Sequence, residues 1–147
     1  MKTQVVRSIA ILALVTAGDS IAQKKEGNLE LICVGTMISE SSLRGTETQV
    51  YREVKKFQNG QFITLTMQSG SPVTISVPCV WSESEIKCSP EPIDFPPGTV
   101  ARNIDTGGKI DRRTGTYTSH SFTEYTSGHY VSIRVSAACD LPPKKRF

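Results

Sequence analysis

The chain has 147 residues, of which 21% are charged and 37% are hydrophobic, and its formal net charge is +3. This length supports one folded domain around a single hydrophobic core, but rarely two domains. The weak positive charge is spread along the chain and forms no basic stripe, so we expect no nucleic-acid partner.

The N-terminal 22 residues have the three regions of a secretory signal peptide. Lys2 and Arg7 supply a basic head, and the apolar run Ser8–Ala17 follows it. That run is too short to cross a hydrocarbon core, which requires roughly 20 apolar residues. Small residues then predict cleavage after Ala22, with cleavage after Ala17 as the alternative, so we interpret residues 1–22 as a signal peptide.

The remainder of the chain predicts an exported protein without a membrane span. Neither cleavage point carries a cysteine that a lipid could modify, and no second apolar run approaches spanning length. We therefore expect a soluble protein in the periplasm of a Gram-negative bacterium, or one secreted further. We divide it into a flexible leader at residues 23–28, a single β domain at 29–141 and a frayed tail at 142–147.

All four cysteines follow the predicted signal peptide, and an even number in a small exported domain predicts disulfide bonds. Cys79 and Cys88 are symmetric about Glu83–Ser84, so a hairpin that turns there places them opposite each other. This symmetry favours the bonds Cys79–Cys88 and Cys33–Cys139 among the three possible pairings. Because no CxxC pair or neighbouring histidine accompanies the cysteines, we predict no metal site and no cofactor.

The predicted domain begins with a strand. Leu29–Met37 places alternate apolar residues on one face, as in a half-buried strand, whereas the polar segment Ile38–Thr46 predicts a loop. The next segment, Gln49–Gln58, is ambiguous, because its apolar residues also fit one face of a short amphipathic helix.

A turn signal after this segment favours a strand over the helix. Asn59-Gly60 is typical of a two-residue hairpin turn, because both residues tolerate the positive φ that such a turn requires. A hairpin centred there pairs Phe57 with Phe62 and Val54 with Leu65. We therefore favour a hairpin for the ambiguous segment.

The middle of the chain predicts an inward-facing strand and an irregular connector. In Val73–Trp81 every second residue is apolar or cysteine, which predicts one strand with a buried face. After a short return strand, Glu85–Ser89, the segment Pro90–Gly98 contains four prolines. Proline lacks the N–H donor of a strand ladder, so this segment predicts a connector without regular structure.

The C-terminal part of the chain predicts further hairpins. Asp111 can accept hydrogen bonds from loop amides and Gly115 can adopt the left-handed conformation, which together predict a tight loop. A second turn follows at Thr126–Gly128. His129–Cys139 then shows the cleanest alternation in the chain, with one apolar and one polar face.

This succession of short strands and turns predicts an all-β fold, either a small antiparallel meander barrel or a sandwich. Cys33, Cys79 and Cys139 all fall on predicted inward faces, in agreement with two disulfides. No repeat and no internal boundary divides the domain.

The sequence contains no pattern typical of a catalytic site. Nucleophilic catalysis requires a nucleophile, a base and an orienting group, and only His120 and His129 are bases at neutral pH. Neither lies in a motif such as the nucleophile elbow, and the predicted disulfides leave no free thiol. We therefore predict no catalytic residues, and we interpret both histidines and Glu124 as polar groups that face solvent.

Paired carboxylates are another route to hydrolysis. The chain has two close pairs, Glu83 with Glu85 and Glu91 with Asp94. The first pair flanks a predicted hairpin tip and the second lies among prolines, so we interpret both as loop charges that keep the surface hydrated.

Two further features have more than one interpretation. Arg112 and Arg113 lie at a predicted hairpin tip, where they can bind a carboxylate or phosphate or can keep the turn in water. Trp81 belongs to the inward row beside Cys79. Its indole either packs on the disulfide or stacks on a ligand.

The segment Lys109–Tyr117 resembles an Ile-Asp-Arg-x-Thr-Gly-x-Tyr hairpin that occurs in small exported proteins of proteobacteria, most of them uncharacterised. The resemblance covers this segment alone and consists mainly of turn-forming residues. It implies an exported protein with a β fold, and it implies no activity.

The size, signal peptide, cysteine number and β pattern are also similar to those of periplasmic inhibitors of C-type lysozyme. That family inserts a loop with the motif Ser-Gly-x-x-Tyr into the lysozyme active site. The corresponding segment here, Ser127-Gly128-His129-Tyr130, is one residue shorter than the motif. This resemblance implies inhibition of lysozyme or another hydrolase as an alternative function.

The sequence therefore predicts a non-enzymatic exported β domain that binds a protein or a small ligand in the cell envelope. Polar loops on a rigid, disulfide-linked sheet are a common location of binding residues. Inhibition of lysozyme or another hydrolase is the alternative, and weak hydrolysis by His120 or His129 is a second alternative. The sequence identifies no ligand-binding residues.

Overall fold

The computed structural model describes Ile21 and residues 27–143. Within these residues, nine strands form one antiparallel sheet that curls into a nearly closed barrel, as the sequence predicts. The strands are β1 (Leu29–Ser41), β2 (Gly45–Gln58), β3 (Gln61–Gln68), β4 (Ser71–Val77), β5 (Cys79–Trp81), β6 (Glu85–Cys88), β7 (Val100–Asp111), β8 (Thr116–Tyr125) and β9 (Tyr130–Asp140). Ile21 apart, the predicted signal peptide lies outside the described residues, as do residues 23–26 of the leader and 144–147 of the tail.

The first and last strands are neighbours at the centre of the sheet. From this β1–β9 pair, one meander runs through β2 and β3 to β4, and the other runs back through β8, β7 and β6 to β5. Pro78 alone separates the two end strands in sequence, so the single strand predicted for Val73–Trp81 is in fact two. Proline cannot donate to a ladder, and the chain crosses there from one end of the sheet to the other.

Both predicted disulfides are confirmed. Cys33 and Cys139 lie directly opposite each other on β1 and β9, with Cα atoms 4.0 Å apart. Cys79 and Cys88 are cross-strand partners in the β5–β6 hairpin, with Cα atoms 3.9 Å apart. The first bond therefore joins residues near the two ends of the domain in sequence, and the second joins the two strands of one hairpin.

The ambiguous segment before Asn59-Gly60 is strand β2, so the hairpin prediction is confirmed. Asn59 and Gly60 have φ angles of 51° and 78°, and Phe57 pairs with Phe62. The predicted pairing of Val54 with Leu65 is wrong, because β2 and β3 pair over only three positions. Beyond them β3 pairs only with β4, and a two-stranded ribbon twists more strongly than a wide sheet, which carries β3 away from β2.

The predicted loop Ile38–Thr46 is also wrong, since only residues 42–44 form a turn. The polar end of β1 is extended because it has a neighbour on each side: Ser39 pairs with Glu47 of β2 and with Ile133 of β9. Tertiary pairing therefore overrides a local composition that is typical of a loop.

The hydrophobic core occupies the inward face of the barrel. Its buried residues are Ile21, Leu29, Leu31, Cys33, Phe57, Phe62, Val77, Ile86, Cys88, Ile110, Tyr117, Val135, Ala137 and Cys139. Every strand except β5 contributes at least one of these buried residues. The segment 90–98 crosses the surface as the predicted connector without regular structure.

Candidate ligand-binding cavity

A cavity of about 190 Å³ lies inside the barrel, between β2, β3, β6, β7, β8 and the start of the connector that follows β6. Its apolar walls include Phe57, Phe62, Ile86, Ile110, Tyr117 and Ile133. Its polar lining includes Lys55, Glu91, Asp105, Ser119, His120 and Ser121. An engineered apolar cavity of about 150 Å³ binds benzene, so this space is large enough for one small organic group.

Strand periodicity turns a lysine into the barrel. Successive side chains of a strand point to opposite faces, so the odd-numbered residues of β2 from Tyr51 to Phe57 face inward. Lys55 is one of them, and only 4% of its surface is exposed. A lysine is rarely buried to this extent unless its charge is paired.

The ammonium group of Lys55 is paired with a carboxylate and surrounded by aromatic rings. Its Nζ atom donates to Oε2 of Glu53 at 2.9 Å. The same atom lies 4.0 Å from the ring centroid of Tyr117, 4.7 Å from that of Phe62 and 5.9 Å from that of Tyr51. These distances are within the range of favourable cation–π contacts.

Tyr51 joins the same network through its hydroxyl group, which donates a hydrogen bond to Oε2 of Glu53. Burial raises the pKa of the Tyr51 phenol far above its ordinary value, and the hydrogen bond to Glu53 raises it further. The Tyr51 ring also stacks on Tyr117, with ring centroids 5.9 Å apart. The Glu53 carboxylate thus accepts from both Lys55 and Tyr51 and holds this wall of the cavity in place.

An irregularity in β7 brings a second carboxylate to the cavity. The pairing of β7 with β8 shifts register between Asp105 and Gly108, as in a β-bulge. Inside the shift, the N–H of Gly107 donates to Oδ1 of Asp105 at 2.8 Å. Gly107 has a φ of 66°, and a Cβ atom there would lie 2.2 Å from the carbonyl oxygen of Cys88, so the position requires glycine.

The connector after β6 supplies a third carboxylate. Glu91, Pro92 and Ile93 line the cavity. Glu91 is also an exposed residue of this irregular segment, in agreement with its interpretation as a loop charge. Partial burial raises the pKa of Glu91, the Glu53 carboxylate raises it further, Lys55 opposes the shift and Asp105 adds to it. The prolines on either side of Glu91 keep this segment out of regular structure, since proline lacks a ladder donor.

The two histidines occupy different settings. His120 lies at the edge of the cavity, and its Nε2 atom is 3.4 Å from Oγ of Ser132. His129 lies in the β8–β9 turn, where its Nδ1 atom is 3.5 Å from Oγ of Ser42. In the part of the chain that the structure describes, no group of three His, Cys, Asp or Glu residues is placed to hold a metal ion.

The structure changes the interpretation of Arg112. Only 8% of this residue is exposed, and its guanidinium donates to the carbonyl oxygen of Ser82 and lies 5.8 Å from the Trp81 ring centroid. It is buried because its loop closes on the β5–β6 turn, with the Arg112 N–H bonded to the Ser84 carbonyl at 2.8 Å. Arg112 therefore stabilises the fold, and of the predicted surface pair only Arg113 is exposed.

Trp81 lies outside the cavity lining. Its Nε1 atom donates to the carbonyl oxygen of Gly60 at 2.8 Å, and its ring meets Phe57 edge to face at 5.5 Å. Both contacts hold the indole behind one cavity wall, away from the space where a ligand would stack.

The remaining predicted site residues lie apart from the cavity. Glu83 is in the β5–β6 turn and Glu85 begins β6, while Asp94 is an exposed residue of the connector. Glu124 lies on β8 opposite Tyr130. The segment Ser127–Tyr130 is a short hairpin turn, closed by a hydrogen bond of 2.7 Å from the Tyr125 N–H to the His129 carbonyl.

Sequence reasoning missed the central residues of the site, namely Tyr51, Glu53, Lys55 and Asp105. The available signal was the alternation within β2, which places polar residues on the same face as Phe57 once the segment is assigned as a strand. The position of Asp105 depends on a bulge, for which the sequence carried no comparable signal.

Comparisons with known proteins add no functional information. No protein-family model matches the chain, and searches of the curated proteins and of the solved structures likewise give no match. Among the described residues, no helix has the length and apolar character of a membrane span. The functional proposal therefore rests on the cavity.

Proposed function

We propose that this protein is a non-enzymatic binding protein that holds a small ligand in the cavity of its barrel. The observation that carries the proposal is the cavity of about 190 Å³ itself, enclosed by aromatic and aliphatic side chains and with a few polar groups directed into it. Sites for small molecules have this composition: apolar walls provide affinity, and a small number of polar groups fix orientation.

The size of the cavity restricts the ligand. Sites for drug-sized molecules are roughly 300–1,000 Å³, so this space encloses a smaller molecule or one end of a longer one. β2 and β3 are paired only between Lys56 and Ile63, and Lys55 and Thr66, which line the cavity, lie on the parts of these strands that do not pair with each other. We expect a longer ligand to extend between these parts toward solvent.

The polar network supports binding because its side chains hold one another in place. Glu53 accepts hydrogen bonds from both Lys55 and Tyr51, and these contacts fix three side chains of the wall. A preorganised site loses little conformational entropy when a ligand enters.

The absence of an oriented base supports a binding role over catalysis. Within the described part of the chain, the His120 ring contacts Ser132, but it donates no hydrogen bond to a carboxylate that would orient it as in a Ser–His–Asp triad. Hydrolysis by His120 or His129 is a separate hypothesis. Activity measurements on the His120→Ala and His129→Ala variants test it.

We further propose that the protein is exported. Two disulfides support this, because such bonds form and persist mainly in oxidising compartments. Ile21 is buried in the core, and its carbonyl oxygen accepts a hydrogen bond of 3.4 Å from Nη2 of Arg112. A mature chain that retains these contacts requires cleavage after Ala17, the alternative site, instead of cleavage after Ala22.

The export proposal is tested by the mass of the protein recovered from the periplasm after expression of the full chain in a Gram-negative host. We expect a mature chain that begins at Gly18. A chain that begins at Gln23 would show that Ile21 is dispensable for the fold, and an unprocessed chain retained in the cytoplasm would contradict export.

The binding proposal is tested by filling the cavity. Ser119 faces the cavity and its neighbour Thr118 faces outward, so Ser119→Leu and Thr118→Leu add apolar volume at adjacent positions with opposite orientation. A panel of neutral, cationic and anionic molecules with up to about ten non-hydrogen atoms is screened by ligand-observed NMR against each protein.

We expect at least one compound to bind the wild type and the Thr118→Leu variant, and to lose most of its affinity for Ser119→Leu. Thermal unfolding confirms that both variants are folded. The absence of any binder in the panel, or equal binding to both variants, would contradict a ligand site in the cavity.

A further inference from the structure

The cavity has an excess of negative charge. Lys55, Glu91 and Asp105 line the cavity, and the Glu53 carboxylate contacts Lys55 from behind the lining. Glu53, Lys55 and Asp105 are all close enough to Glu91 to affect its pKa. Lys55 is the only lysine or arginine among the described residues that line the cavity. The ionised forms of Lys55, Glu91 and Asp105 sum to a formal charge of −1, and the Glu53 carboxylate behind Lys55 adds a further negative charge.

Lys55 compensates only one of the three carboxylates by direct contact. It forms its salt bridge with Glu53, and no salt bridge within the described residues involves Glu91 or Asp105. Asp105 accepts a hydrogen bond from the N–H of Gly107, which carries no net charge. Glu91 and Asp105 therefore face the cavity without a neutralising cation.

The aromatic walls favour the same sign of charge. Tyr117 and Phe62 already hold an ammonium group, that of Lys55, at 4.0 Å and 4.7 Å from their ring centroids. A ring face attracts a cation through its quadrupole and repels an anion. The rings and the carboxylates thus act together on any charged group that enters.

We infer that the cavity selects a small organic cation, an alkyl or aryl ammonium ion, over neutral and anionic molecules of the same shape. The inference rests on the proposed function and adds the chemical class of the ligand. The ammonium group lies beside Glu91 and Asp105, and the apolar part of the ligand lies between the aromatic and aliphatic walls.

Three probes of nearly identical shape test the selectivity: benzylammonium, benzyl alcohol and benzoate. Their ring fits, because a cavity of about 150 Å³ already accommodates benzene. Their affinities are measured at pH 7 and low salt by ligand-observed NMR. We expect benzylammonium to bind roughly tenfold more tightly than benzyl alcohol, and benzoate to bind most weakly.

Substitutions assign the selectivity to the two carboxylates. Glu91→Gln combined with Asp105→Asn removes both charges, and asparagine keeps the oxygen that accepts from Gly107. We expect the preference for benzylammonium over benzyl alcohol to fall to roughly twofold or less. Asp94→Asn removes a charge from the same connector outside the cavity and is expected to leave the preference unchanged.

The possible outcomes separate this inference from the proposed function. If none of the three probes binds, and none of the broader panel does, the proposed function itself fails. If benzyl alcohol or benzoate binds as tightly as benzylammonium, the cavity binds ligands but the charge selectivity is wrong.

A preference that survives in the double variant would likewise overturn the assignment to Glu91 and Asp105. Thermal unfolding establishes whether the double variant is folded. If the double variant is unfolded, Glu91→Gln alone provides the test, because Glu91 lies on the connector and outside the sheet. We expect the Glu91→Gln variant to lose about half of the preference for benzylammonium on a logarithmic scale.

Discussion

The ammonium nitrogen of Lys55 lies 4.0 Å from the centroid of the Tyr117 ring, inside a β-barrel whose strands all belong to one sheet. A charged group in this position is stable only while its carboxylate partner, Glu53, is present 2.9 Å away. The pair therefore links the stability of the fold to the wall of the proposed ligand site.

We expect Lys55→Met to lower the free energy of unfolding by about 2 kcal/mol, since it leaves the Glu53 carboxylate partly buried without its cation. Methionine preserves most of the volume and the contacts with the aromatic rings. This expected loss of stability is smaller than that for a fully buried pair, because the Glu53 side chain is 36% exposed. Urea unfolding measures the change.

The control for this prediction is the double variant Glu53→Gln/Lys55→Met, which removes both charges of the salt bridge. We expect it to recover at least half of the lost stability. If the double variant is less stable than Lys55→Met alone, the charge pair is not the reason for the effect.

The Tyr51 phenol makes stability sensitive to alkaline pH. Burial and the hydrogen bond to Glu53 raise the pKa of Tyr51 above the value of about 10 that a tyrosine has in the unfolded chain. A group whose pKa is raised on folding contributes its full stability below the unfolded pKa and loses it as pH rises above that value. Stability is therefore expected to fall above pH 10.

The contribution of Tyr51 is isolated by comparison with Tyr51→Phe. Between pH 10 and 11 we expect the free energy of unfolding of the wild type to fall more steeply than that of the variant, by up to about 1.4 kcal/mol per pH unit for one proton. Chemical unfolding at each pH provides the values. Parallel pH profiles would contradict the shift in the pKa of Tyr51.

The two disulfides are expected to differ in their effect on stability. The bond Cys33–Cys139 spans 106 residues, whereas Cys79–Cys88 spans 9. In the chain-entropy model the longer loop restricts the unfolded state more, so its removal costs about 4–5 kcal/mol and removal of the shorter one about 2.5 kcal/mol.

The double variants Cys33→Ala/Cys139→Ala and Cys79→Ala/Cys88→Ala test this order by urea unfolding under non-reducing conditions. Each retains the other bond as an internal reference. An equal loss of stability in both, or a larger loss for the shorter loop, would show that packing at the sulfur atoms outweighs loop entropy.

Two lysines on the outer face of the barrel lie directly opposite each other. Lys87 of β6 pairs with Lys109 of β7, and like charges at such positions destabilise a sheet. We expect Lys109→Glu to raise the free energy of unfolding by about 0.5 kcal/mol, because it replaces repulsion with attraction.

Salt and a neutral variant separate the electrostatic part of this gain. Lys109→Gln removes the repulsion without adding attraction, so we expect about half of the gain. In 1 M NaCl, where the Debye length is about 3 Å, the advantage of Lys109→Glu is expected to shrink toward zero. A gain that is independent of salt would point to β propensity instead.

The sequence alone was sufficient for the strands whose pattern is local. The turn at Asn59-Gly60 follows from the φ angles that these residues tolerate, and the loop at Asp111 follows from a side chain that accepts hydrogen bonds from the amides of Arg113 and Thr114. Symmetry about the β5–β6 turn was likewise enough to place Cys79 opposite Cys88.

Where local composition and strand pairing favour different conformations, the tertiary structure determined which one forms. The polar end of β1 is a strand because β9 lies beside it, and β2 separates from β3 because β3 twists away with β4. Arg112 is buried because its loop folds onto the β5–β6 turn. Strand β9 and the β5–β6 turn are both distant in sequence from the residues that they affect.

The candidate site was likewise determined by tertiary structure, for the same physical reason. The alternation of a strand determines which side of the sheet a residue faces, and so it places Lys55 on the same face as Phe57. It does not determine which residues of other strands share that space. Glu91 and Asp105 line the same cavity as Lys55 because the sheet curls into a barrel, with a register shift in β7 and a connector after β6.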